Sequence, residues 1–122
     1  MNRDYSTLLP QVLDKLFPEA ELRQKVVGIL EAYGREEFHL EVERVHLGIL
    51  RLSGSNVEMI MQHTGLACSD FRDLLIAAEY PLTFGKNALK EKDPAKYAKL
   101  EQKERGQYDQ WLAQVLSNRE HR

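Results

Sequence analysis

Apolar positions along the chain recur at intervals of three and four, the repeat of an α-helix and not the alternation of a strand. The pattern is densest over residues 38–81. Phe38, Val42, Val45, Ile49 and Leu52 follow one another at steps of four, three, four and three, which stacks them on one narrow face at roughly 100° per residue. The spacing predicts a central helix over residues 35–52, with that ridge turned inward and the other helices arranged around it.

The flanking segments read the same way. Thr7 caps a first helix with Pro10 in its first turn, lined by Leu9, Val12, Leu13, Leu16 and Phe17 and broken by Pro18. A second starts at the acidic residues Glu19 and Glu21, carries Leu22, Val26, Ile29, Leu30 and Tyr33, and closes at Gly34. After the central helix, Gly54 ends one run, and Ser55 with Glu58 forms a capping-box spacing for a helix over 56–64. That helix buries Val57, Ile60 and Met61 and stops at Gly65. Ser69 opens the next, with Phe71, Leu74, Leu75 and Ala78 as its stripe and Pro81 as its stop.

Residues 82–93 lack sustained periodicity and read as a loop with room for one helical turn. Asp93 followed by Pro94 is a strong helix start, and Tyr97, Leu100, Glu104, Tyr108, Trp111, Leu112 and Val115 keep helical spacing over 94–117. The first half of this helix reads as solvated and the second half as docked, with a polar tail over 118–122. The fold class predicted is all-α: a compact bundle of five to six helices with a long C-terminal helix, one domain over 1–122 with its core in 1–81.

Composition narrows the function classes. The chain has 122 residues, and its 17 basic and 19 acidic side chains nearly cancel, so net charge does not mark it as a nucleic-acid binder. The lone cysteine, Cys68, has no intramolecular partner and points to a reducing compartment. No apolar run reaches signal-peptide or membrane-spanning length. The expectation is a cytoplasmic protein with no membrane partner.

Candidate chemistry is sparse. His39, Glu43 and His46, spaced four and three apart, fall within roughly 60° on one predicted helix, which is metal-ligand spacing, with His63 or the Glu36 and Glu37 pair available to complete a site. The alternative is that they form the wetter side of an amphipathic helix. Cys68, read as lying just before a helix start, is a candidate thiol nucleophile or a small buried hydrophobe. No phosphate loop, zinc-type cysteine spacing or nucleophile elbow occurs, and no cofactor is implied.

Lys86, Lys90, Lys92, Lys96, Lys99, Lys103 and Arg105 form a basic run beside Tyr97 and Tyr108. Interleaved Glu91, Asp93, Glu101 and Glu104 favour a solvated helix with intrahelical ion pairs over phosphate binding. The short helices over 56–64 and 69–79 do not make a DNA-reading pair, because Asp70, Asp73 and Glu79 oppose Arg72 there.

Two segments carry a resemblance. EVERVHLGILRLSG from Glu41 and DFRDLLIAAEYP from Asp70, about a third of the chain, resemble a group of small bacterial all-helical proteins, which brings no activity with it. HLGIL from His46 and IMQHTG from Ile60 are similar to the helical N-terminal domain of Clp ATPases, which is built from two such repeats. One is found here and the second half departs from the pattern, so no adaptor-binding role is carried over.

The resemblance draws attention to Arg44, Arg51, Arg72, Asp73 and Glu79, as a small polar cleft or docking patch, or else as helix-end and ion-pair residues. Leu40 and Leu47, opposite the main ridge, either face neighbouring helices or meet a second protomer across a two-fold axis. Trp111 and Leu112 dock the last helix on its own chain or on a partner. The function expected is a non-catalytic protein-interaction or regulatory homodimer. A metal or small-ligand site at His39, Glu43 and His46 is one alternative, and weak nucleic-acid binding by the last helix is another.

Overall fold

Four of the helices begin where a side-chain oxygen meets free backbone amides. Asp4 accepts from the Thr7 amide at 3.3 Å, Asn56 from Met59 at 3.0 Å, Asp70 from Arg72 at 3.0 Å and Asp93 from Lys96 at 3.1 Å. The caps are therefore Asp4, Asn56 and Asp70, in place of Thr7, Ser55 and Ser69. The computed structural model describes residues 3–117; the predicted polar tail, 118–122, lies outside the described residues.

Among the described residues the chain is all-α, with seven helices: α1 (Tyr5–Leu16), α2 (Ala20–Leu30), α3 (Val42–Ser53), α4 (Val57–Ser69), α5 (Phe71–Glu79), α6 (Asn87–Lys92) and the long α7 (Pro94–Ser117). The added element is α6, a short helix inside the stretch read as loop. Gly65 does not end α4, which continues through it to Ser69.

The central helix starts seven residues later than its apolar spacing predicts. Residues 34–41 form turns instead, and Phe38, the first member of the predicted ridge, stands 71 % exposed. The reason is local hydrogen bonding. Gly34, at φ 128°, ends the preceding chain path, and its amide donates to Nδ1 of His39 at 2.7 Å. The Tyr33 hydroxyl donates to the Leu40 carbonyl at 2.7 Å, and Glu41 takes a left-handed conformation, φ 53°, to turn the chain into α3. Non-glycine residues adopt that conformation at a cost of about 1–2 kcal/mol, which the two bonds offset.

From Val45 to Leu50 every residue of α3 is buried. It packs against α1, α4 and α5, so Val45, Leu47, Ile49 and Leu50 are covered from all sides, each contributing about 1.5–3 kcal/mol of burial. Gly48 sets the approach of α5: a methyl at its α-carbon would lie 3.2 Å from the Ala78 Cβ. Tyr108 and Leu112 of α7 complete the core, where α7 lies on α1 and α5. No helix among the described residues is long and apolar enough to cross a membrane.

Candidate interaction surface

The three predicted metal ligands do not converge. His39 sits in the turn before α3, with its ring stacked on Tyr33 at 4.4 Å and its Nδ1 accepting from Gly34. His46 is buried in α3, and its Nε2 donates to the Tyr33 carbonyl at 2.7 Å. Burial holds the His46 imidazole below its usual pKa, against the opposing pull of that carbonyl and of the Glu31 and Glu43 carboxylates. Glu43 is exposed. His63 contacts Ser53 at 2.7 Å instead, and no group of three ligating side chains suited to a metal occurs among the described residues. The sequence spacing failed because it presumed a helix through 35–41.

The polar set divides in the same way. Arg44 and Glu79 meet, with Nε 3.0 and 2.9 Å and Nη2 2.6 Å from the carboxylate oxygens. Hydrogen bonding to Glu79 raises the Arg44 pKa, so the guanidinium is permanently charged. Tyr5 approaches the same carboxylate at 3.5 Å. Arg51 lies over Trp111, 5.8 Å from the ring centre, while Arg72 and Asp73 are exposed at the start of α5. Two of the five residues form an ion pair between α3 and α5, and the rest do not join them.

Of the four predicted interface residues, Leu47 is fully buried by its own chain and Leu112 is 7 % exposed. Trp111 is half-buried against the same core and stacks edge-on to Tyr108 at 5.6 Å. Leu40 alone presents an exposed side chain, 55 % accessible, in the turn before α3.

Glu104 keeps the helical spacing of the last helix but reads in sequence as one of its solvated acids, and here the structure differs. It is buried on α7, and its carboxylate accepts from the amides of Leu82 and Thr83 at 3.0 and 3.2 Å and closely from the Thr83 hydroxyl. It therefore fastens the turn after α5 to the last helix. A cavity of about 320 Å³ opens beside it, lined by Arg3, Tyr80, Tyr97 and Glu101 together with Glu79 and Glu104. Both of the latter carboxylates already hold partners. The signal in the sequence was a charged residue midway along the stripe from Leu100 to Tyr108.

An exposed apolar region lies elsewhere. Phe38, Leu40, Tyr33 and Phe71 line a cavity of about 590 Å³ that ends on Ala67 and Cys68 of α4. Cys68 lies in the last turn of α4, two residues before Asp70 caps α5; it is exposed, and its Sγ is 3.6 Å from the Ala32 carbonyl. The surface continues along α4. From Met59 to Ser69 that helix has no Asp, Glu, Lys or Arg, and Met61, Gln62, Gly65, Leu66 and Ser69 are all exposed. Met61, predicted as core, is 56 % accessible, because α4 turns its Ile60, Thr64 and Ala67 face inward.

No family model matches the chain, and comparison with curated proteins and with solved structures likewise returns no match. The resemblances noted above rest on their own residues alone.

Proposed function

We propose that this chain is a non-catalytic protein-interaction module that pairs with a second copy of itself through the outer face of α4 and the adjoining Phe38 and Leu40 turn. The observation that carries the reading is the charge-free stretch from Met59 to Ser69, with Met61 and Leu66 exposed, in a chain of which 30 % is charged. An exposed apolar patch of this kind marks a contact surface.

A second copy is the occupant that the chemistry favours. Across a two-fold axis residue i meets j and j meets i, so a charged face must set each charge against an opposite one, whereas the stretch from Met59 to Ser69 carries no such requirement and leaves Glu58 at its edge. Gly65 lies mid-face with open space where a side chain would project, which lets two helices approach closely. Phe38 and Leu40 extend the patch beyond one helix width.

Sedimentation velocity at micromolar concentration tests this. The wild type is expected to sediment as a dimer, and Met61→Glu with Leu66→Glu to yield a folded monomer. A monomeric wild type, or a double variant that remains dimeric, overturns the reading.

A further inference from the structure

The hairpin of α6 with the first half of α7 has a character unlike the rest of the chain. No residue from Phe84 to Lys103 is buried, and α6 packs mainly on α7. This arm carries Lys86, Lys90, Lys92, Lys96, Lys99 and Lys103 against Glu91, Asp93 and Glu101. Alternating signs on a helix predict intrahelical ion pairs, yet among the described residues none of these six lysines lies within ion-pair distance of a carboxylate. Lys90 reaches instead to the Tyr97 ring, 5.4 Å from its centre.

Two of the three acids are turned to other work, and the third, Glu91, stands exposed on α6 without an ion-pair partner among the described residues. Asp93 is engaged as the cap of α7 through the Lys96 amide, and Glu101 faces the cavity at the base of the arm. Lys96, Lys99 and Lys103, three and four apart, share one face of α7. At the arm's root Phe84 stands 59 % exposed. A row of unpaired cations beside an open aromatic ring is the arrangement that holds a single nucleic-acid strand: the cations follow phosphates and the ring stacks on a base.

We infer that the α6–α7 arm is a binding surface for single-stranded nucleic acid, with its lysines on the phosphate backbone and Phe84 stacked on a base. An anionic membrane is the weaker fit, because membrane-surface helices set a broad apolar face beside their lysines, and the one large apolar side chain exposed on this arm is Phe84. The arm shares no residue with the α4 face, so the two readings stand or fall separately.

Fluorescence anisotropy with a labelled homopyrimidine strand of about 20 nucleotides, titrated with the full chain between about 50 and 200 mM salt, tests the assignment. Affinity is expected to drop at least about tenfold over that range. In the triple variant Lys96→Glu, Lys99→Glu, Lys103→Glu, the log–log salt slope should fall by about two, because each phosphate that a lysine neutralises adds about 0.7 to it. Those positions are exposed, and circular dichroism checks that the variant is folded. Phe84→Ala should weaken binding about tenfold with the slope unchanged, since stacking releases no counterions.

No binding at the lowest salt, or binding that the triple variant leaves intact, overturns the inference. So does retention by phosphatidylserine vesicles without binding to the strand. Polyglutamate bound as tightly as the strand, with Phe84→Ala silent, reduces the arm to a general polyanion contact and overturns it as well.

Discussion

Arg44 grips the carboxylate of Glu79 through both oxygens, at 2.6 to 3.0 Å, between the start of α3 and the end of α5. The Glu79 side chain is 7 % exposed and that of Arg44 29 %. The acid therefore depends on this partner for the solvation it has lost, and the pair fixes the register in which α5 crosses the central helix.

Removing one partner leaves a buried charge without its counterpart, which costs about 3–5 kcal/mol. Arg44→Ala should lower stability by that order in urea unfolding. Replacing both, Arg44→Met with Glu79→Leu, should recover most of the loss. A double variant no more stable than Arg44→Ala would mean that the ion pair contributes more than its apolar replacement.

Tyr108 offers the opposite case. Its ring is core and lies under the Arg3 guanidinium, 4.0 Å from the ring centre, but its buried hydroxyl has no hydrogen-bond partner among the described residues. Burial, with Glu79 nearby, pushes its pKa well up, so the group stays neutral. Tyr108→Phe keeps the packing and removes the unsatisfied group, which is expected to raise stability by about 1 kcal/mol. A loss of similar size in thermal unfolding would show that the hydroxyl is satisfied.

Thr83→Val cuts the hydroxyl bond to Glu104 while keeping the side chain's volume. The expected loss is about 1.5–3 kcal/mol, the range for a hydrogen bond to a charged group. Amide exchange at Leu82 and Thr83 should speed up more than exchange in α3, because the turn detaches before the core opens.

Stability should decline in mild acid through His46. Folding keeps the ring neutral where an unfolded imidazole, with a pKa of about 6.5, takes up a proton. Its contribution is thus complete above that value and is lost as the pH falls from there toward the lower folded value. Urea midpoints at about pH 7.5 and 5.5 bracket the start of this window. The wild type is expected to lose more between them than His46→Gln does, and equal losses would remove His46 as the cause.

The start of α7 was legible because Asp93 and Pro94 act on their own nearest amides, and the α5 stripe because Leu74, Leu75 and Ala78 answer to a single period. The opening of α3 was not. Phe38 satisfies the period of Val42 and Val45, and it is the bonds from Gly34 to His39 and from Tyr33 to Leu40 that divert the chain. The same diversion dissolved the metal set, and neighbouring helices claimed Leu47 and Leu112. In α4, Met61 and Ile60 look alike in sequence, and which of them faces outward is decided by where α2, α3 and α5 stand.

Asp70 has a double duty. Its amide donates to Leu66 as α4 ends, and its carboxylate takes the first amides of α5. Fraying of the last turn of α4 withdraws the very oxygen on which α5 begins. The two helices are expected to open together, with amide exchange in the last turn of α4 and the first turn of α5 reporting one common opening free energy.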